Sequence, residues 1–79
     1  MVIFGQIVAG LRQKADLTQE DLAYTCGLDR SFMSKLERGV TSVSLLTLLR
    51  LAEGLNVKPS KILQSLERKL ETKSLHRWQ

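Results

Sequence analysis

The sequence contains one cysteine, one histidine, one proline and few aromatic residues among its 79 residues. Cys26 has no second cysteine with which to form a disulfide within the chain, and no set of cysteine and histidine residues has the spacing of zinc ligands. A chain of this length holds one domain, which is smaller than an ordinary enzyme domain. We therefore expect one domain without metal or cofactor, and neither a disulfide scaffold nor an enzyme.

Long apolar runs are also missing from the sequence. None approaches the roughly 20 residues that a membrane-spanning helix needs, and residues 1–11 lack the basic start and cleavage region of a signal peptide. We therefore expect a soluble, cytoplasmic protein that does not contact a membrane. Its 12 Lys and Arg residues outnumber its 8 Asp and Glu residues, giving a formal charge of +4 that suits a polyanionic partner.

The apolar residues recur at helical spacing, which predicts an all-α fold of five helices. The first helix is predicted over residues 4–14. Gly10 lies inside it, where glycine costs about 1 kcal/mol relative to alanine, so we expect a close contact there. Simple tolerance of the glycine is the alternative.

Capping signals mark the next two helices. Thr18 and Asp21 can form a reciprocal cap for a helix over residues 19–26, and Asp29 can cap a helix over residues 30–38. Gly27 supplies the residue that tolerates positive φ in the short turn between them.

Two further helices complete the predicted domain. We expect Ser42 to cap the fourth helix, with Ser44 as the alternative, and Pro59 to lie in the first turn of the fifth. The domain is predicted to cover residues 1–71, and residues 72–79 form a polar tail that we expect to fray.

The segment 18–38, TQEDLAYTCGLDRSFMSKLER, has the pattern of a helix-turn-helix motif. This motif needs a small residue where the helices cross, here Ala23, and a glycine in the turn, here Gly27. It also needs apolar residues that fix the second helix on the first, here Leu22, Leu28, Met33 and Leu36.

The wider sequence resembles the Cro/cI-type helix-turn-helix family of phage repressors and restriction-modification controller proteins. The stretches LTQEDLA, GLDRSFMSKLERG and SLLTLLRLAEGL carry the resemblance, together with Leu11 and Arg12. Asp16 replaces a common glycine and Val43 a common proline, and neither change opposes the fold. The resemblance implies a compact, five-helix, lambda-repressor-like domain that binds double-stranded DNA.

In such a domain the third helix enters the major groove, and its outward residues reach the base edges. These residues are Arg30, Ser31, Ser34 and Lys35. The guanidinium of Arg30 can donate two hydrogen bonds to guanine, and contact with a phosphate is the alternative.

A second set of residues is predicted to contact the DNA backbone: Gln19, Phe32, Arg38, Thr41 and Ser42. Gln19 begins the second helix, where the helix dipole favours an anion. For Phe32 the alternative is packing on neighbouring side chains, and for Thr41 and Ser42 it is a purely structural role in the loop.

Family resemblance further implies an ion pair between Arg12 and Glu37, which we interpret as structural. The fourth and fifth helices carry more leucine than one small core needs, which predicts a homodimer interface containing Leu46, Leu49, Leu66 and Leu70. Closure of the monomer core is the alternative role for Leu66 and Leu70.

These observations predict a transcriptional regulator that binds a palindromic operator as a homodimer, most like a controller protein or a small phage-type repressor. An antitoxin-like protein-binding module, whose DNA binding is secondary, is the alternative. Glu20 matches a position at which some relatives contact RNA polymerase, although Tyr24 is not the acidic neighbour that such a contact would use. A nucleophile paired with a histidine, a carboxylate pair and a phosphate-binding loop are all missing, which argues against an enzyme.

Overall fold

The computed structural model describes residues 1–74, with side chains described to residue 71. This part of the chain contains five helices and no strand, so the predicted all-α fold is confirmed. The helices are α1 (Val2–Lys14), α2 (Gln19–Cys26), α3 (Arg30–Arg38), α4 (Leu45–Gly54) and α5 (Pro59–Ser74). α3 packs on α1 and α2, while α4 packs on α2, and α5 packs on α1 and α4.

The α2–α3 pair has the predicted boundaries because its caps form as expected. The Thr18 hydroxyl accepts a hydrogen bond from the backbone N–H of Asp21, and the Asp21 carboxylate accepts one from the backbone N–H of Thr18, each at 3.0 Å. The Asp29 carboxylate accepts a bond of 2.7 Å from the Phe32 N–H. Gly27 ends α2 with a φ of 71°, a conformation that glycine adopts without a steric penalty.

The cap of α4 differs from the prediction. Ser44, and not Ser42, accepts the 3.1 Å hydrogen bond from the Thr47 N–H. Val43 packs against the core, which keeps the preceding segment outside the helix and leaves Ser42 exposed. The preferred choice of Ser42 was therefore wrong, and the alternative was right.

The predicted close contact at Gly10 was also wrong, since no atom from outside its own stretch of α1 lies within 4 Å of the place where a Cβ would stand. The close contact is at Gly5 instead. A Cβ at Gly5 would overlap the backbone carbonyl oxygens of Leu36 and Glu37. The absence of a side chain at Gly5 thus lets α1 lie directly on the last turns of α3.

One apolar core joins all five helices. Its members are Phe4, Ile7, Val8, Leu22, Ala23, Cys26, Met33, Leu36, Leu48, Leu51, Ala52, Leu55 and Ile62. Cys26 lies against Gly54, so that a Cβ on this glycine would stand 2.6 Å from the Cys26 Sγ atom. α2 and α4 are therefore in close contact at this point.

α5 continues to Ser74, past the predicted domain boundary at residue 71. The rest of the predicted tail, residues 75–79, lies outside the described residues. Within residues 1–74, no helix is long and apolar enough to pass through a membrane.

Candidate nucleic-acid interface

Five of the nine predicted DNA-contacting residues meet along one shallow surface groove. Gln19 of α2 and Arg30, Ser31, Ser34 and Arg38 of α3 line it. On the opposite side of α3, Met33 and Leu36 are completely buried. Because these anchors fix the rotation of α3, the polar side of the helix faces outward along its length.

Arg30 occupies the junction between the two helices. As the first residue of α3 it lines the groove, and it also lines a neighbouring depression that includes Thr18, Gln19 and Glu20. Its guanidinium can donate hydrogen bonds in a fixed planar arrangement. A donor of this kind at the N-terminal end of α3 can form two parallel bonds to one guanine.

Lys35 and Arg38 differ in their relation to the groove. Lys35 is exposed on α3 but is not among the residues that line the groove. Arg38 lines it from the last turn of α3, and its Nε atom lies 3.4 Å from the backbone oxygen of Ser34. This long contact leaves most of the guanidinium's hydrogen-bonding capacity for another acceptor.

The remaining predicted backbone contacts lie outside the groove. Phe32 is half-buried and packs against the core, which favours packing, the alternative role for this residue. Thr41 is half-buried and Ser42 is exposed, both in the loop between α3 and α4. The loop begins directly after Arg38, where Gly39 ends α3 in the left-handed conformation with a φ of 77°.

Behind the groove, Arg12 and Glu37 form the ion pair that the family resemblance implies. The Arg12 Nε atom lies 2.7 Å from Oε2 of Glu37, and an Nη2 contact of 3.1 Å to Oε1 makes the pair bidentate. The second Arg12 amino group donates a 2.8 Å bond to the backbone oxygen of Leu17. Arg12 thereby ties α1 both to α3 and to the segment before α2.

Gln19 joins this pair, which the sequence did not indicate. Its Nε2 atom donates a 2.9 Å hydrogen bond to Oε1 of Glu37. The two residues are 18 positions apart, and no local sequence signal connects them. Only the packing of the start of α2 against the end of α3 brings them together.

Two titratable groups near α2 show shifted pKa values. Hydrogen bonds from the backbone and the hydroxyl of Thr18 lower the pKa of the Asp21 carboxyl below its usual 3.8. Burial, with a smaller effect from Glu53, raises the pKa of the Cys26 thiol. Among the described residues, no group of three or more His, Cys, Asp or Glu side chains could hold a metal ion.

A second surface, on α4 and α5, is apolar. Leu45, Leu46, Leu49 and Leu63 are between 46% and 70% exposed. Leu66 and Leu70 are half-buried, and with Leu63 they line a shallow depression. We call these six residues the leucine surface. Leu45 and Leu63 were not predicted, although Leu45 lies one helical turn before Leu49.

Comparisons with known proteins agree with this geometry. A family described as helix-turn-helix matches residues 8–62. The control protein C.BamHI of Bacillus amyloliquefaciens is 38% identical over 63 residues, which cover 78% of each chain. The control protein C.MunI of a Mycoplasma sp is 36% identical over 66 residues, covering 82% of this chain and 89% of that protein.

A similar solved structure is that of the restriction-modification controller protein C.AhdI from Aeromonas hydrophila. It superposes with a TM-score of 0.76 at 44% identity, covering 77% of this chain and 92% of that protein. A structure of the controller protein C.Esp1396I gives a TM-score of 0.84 at 27% identity, covering 92% of each chain.

Proposed function

This chain belongs to the helix-turn-helix family of DNA-binding regulators, and we propose that it binds a palindromic operator as a homodimer and acts as a restriction-modification controller. The observation that carries the proposal is the groove, in which the start of α2 and the outward side of α3 place Gln19, Arg30, Ser31, Ser34 and Arg38 side by side. The controller proteins among its relatives support the regulatory role.

In the proposed complex, α3 lies in the major groove and Arg30 reads a guanine. Ser31, Ser34 and Lys35 reach neighbouring base edges. Hydroxyl groups pair with several bases and therefore discriminate less than a bidentate arginine does. The exposed position of Arg30 at the start of α3 supports its role as the main reading residue.

The backbone contacts come from both ends of the groove. Gln19 approaches one phosphate at the start of α2, while Arg38, Thr41 and Ser42 approach phosphates beyond the end of α3. These contacts set affinity and register but do not distinguish sequences.

The leucine surface supports the homodimer. Leu45, Leu46, Leu49 and Leu63 expose apolar area that an isologous interface would bury. Such a dimer presents two α3 helices to successive major grooves, about 34 Å apart, and therefore requires a palindromic site.

Selection of bound sequences from a library of random duplex DNA tests this proposal. The expected result is a consensus with two inverted half-sites whose centres are about one helical turn apart. A consensus made of a single half-site would contradict the dimer. Recovery of sequences without any consensus would contradict specific DNA recognition altogether.

A further inference from the structure

The Glu37 carboxylate is an anion placed immediately behind a surface that attracts phosphates. Its side chain is only 5% exposed, and it accepts bonds from Arg12 Nε and Nη2 and from Gln19 Nε2. Arg12, itself 13% exposed, neutralises the charge. The ion pair with Arg12 therefore reduces the repulsion between the Glu37 carboxylate and nearby DNA.

The partner of Glu37 determines which way Gln19 points. An ionised carboxylate only accepts hydrogen bonds, so the Gln19 atom that faces it must be the amide nitrogen. That nitrogen carries two hydrogens, and the 2.9 Å bond to Glu37 uses one of them. The second hydrogen remains available, on a side chain that lines the groove beside Arg30.

We propose that Glu37 is a positioning residue for DNA binding, which holds Gln19 so that its second Nε2 hydrogen is directed at a backbone phosphate. The inference rests on the proposed DNA-binding function. Gln19 then bridges two anions, the carboxylate behind the groove and the phosphate in front of it. A neutral amide suits this place because it can donate one hydrogen to each.

The benefit of this arrangement is preorganisation. A free glutamine side chain has several rotatable bonds, and fixing them on binding costs conformational entropy. Glu37 fixes the Gln19 amide before DNA arrives, so less of this cost is incurred in the complex. The same carboxylate that joins α1 to α3 thus raises DNA affinity through α2.

The first test uses the free protein and needs no DNA. In nuclear magnetic resonance spectra, one Nε2 proton of Gln19 should exchange with solvent more slowly than those of Gln6, an exposed glutamine on α1. Glu37→Asp shortens the acid by one methylene, which withdraws it from Gln19 while the long Arg12 side chain can follow. In this variant the Gln19 protons should exchange like those of Gln6.

The second test is a double-mutant cycle on a duplex selected by the wild-type protein from a random library. Gln19→Ala should weaken binding about tenfold, since a hydrogen bond to a charged phosphate is removed. Glu37→Asp should weaken it by about fivefold, but should cause no further weakening in the Gln19→Ala background. Because glutamine carries no charge, neither change should alter the salt dependence of binding.

A merely structural Glu37 would behave differently. Glu37→Asp would then lower the melting temperature and reduce DNA affinity by the same factor with or without Gln19. That additivity, or fast exchange of both Gln19 amide protons in the wild type, would overturn the inference. Gln6→Ala serves as the matched control and should leave affinity unchanged. If the wild type prefers no duplex, the DNA-binding proposal fails, whereas the exchange measurement still tests the Glu37–Gln19 contact.

Discussion

The α2–α3 pair and the α4–α5 pair differ in what they leave at the surface. Along α3 the exposed residues are polar or basic, and the apolar anchors Met33 and Leu36 are fully buried. On α4, by contrast, Leu45 is 70% exposed and Leu46 is 58% exposed. The polar outward side of α3 thus leaves no apolar area to be covered, whereas α4 exposes apolar area of the kind that interfaces bury.

The largest expected effect on DNA binding comes from charging the apolar surface. The double substitution Leu46→Asp with Leu49→Asp should yield a folded monomer, because both side chains are exposed. Operator binding should weaken by about 100-fold or more, since each half-site would then be bound independently. Sedimentation velocity and binding titrations measure the two effects.

Gln64→Asp, a change at another exposed position on α5, is the control and should remain dimeric. If the wild-type protein were monomeric at micromolar concentration, the exposed leucines of α4 and α5 would not form a dimer interface. The two helix pairs would then not differ in their need for a second chain. Leu66→Asp should instead unfold the chain, because Leu66 packs against the core.

The next effect concerns the ion pair behind the groove. Arg12→Ala leaves the Glu37 carboxylate, 5% exposed, without its charged partner. The free energy of unfolding should fall by roughly 3 to 5 kcal/mol, as is typical when one member of a buried pair is removed. Urea denaturation measures it. Lys14→Ala, an exposed basic residue in the last turn of α1, should cost about 0.5 kcal/mol or less. Equal decreases in the free energy of unfolding of the two variants would show that the Arg12–Glu37 pair contributes nothing to stability.

A smaller effect distinguishes base recognition by Arg30 from phosphate contact by Arg38. Arg30→Ala should cost about 1 to 3 kcal/mol on the preferred duplex and relax the preference at one base pair in each half-site. Arg38→Ala should weaken preferred and scrambled duplexes alike and reduce the salt slope by about one unit for each phosphate that is no longer neutralised. Binding titrations at several salt concentrations provide both results. If Arg30→Ala weakened all sequences equally, Arg30 would be a backbone contact.

The smallest effect is a pH dependence at the start of α2. Hydrogen bonds from Thr18 lower the pKa of Asp21 in the folded chain below 3.8. The ionised carboxylate therefore stabilises the fold above pH 3.8, and this contribution is lost as the pH falls through the lower, folded-state pKa. Asp21→Asn should be less stable than the wild type at neutral pH, and the difference should vanish in acid. Urea denaturation between neutral pH and pH values below 3.8 measures this difference, with Glu20→Gln at the neighbouring position as the control. A difference in stability that persists in acid would show that the charge of Asp21 is not its cause.

The difference between local and long-range contacts explains which parts of the fold could be predicted from the sequence. The bounds of α2 and α3 depend on bonds between residues only three apart, from Thr18 to Asp21 and from Asp29 to Phe32. Local patterns of this kind are visible in the sequence. The start of α4 is different, because the choice between Ser42 and Ser44 depends on Val43 reaching the core.

The candidate site shows the same division. Arg30, Ser31 and Ser34 were predicted because they hold outward positions on α3, and Arg38 because it ends that helix; all four line the groove. The Glu37–Gln19 bond and the close contact at Gly5 were missed because both depend on how separate helices pack. Helical spacing predicts which residues share a side of one helix, but not which neighbour touches them.

The position of Cys26 beneath Gly54 provides a natural reporter of how the domain opens. Cys26 is 5% exposed, and burial raises the pKa of its thiol, so little reactive thiolate reaches solvent while α2 and α4 remain together. A thiol reagent can therefore modify Cys26 only after these helices separate, and the labelling rate follows the frequency of that event. The labelling rate of this single cysteine thus measures how often the native protein opens locally, without an added probe.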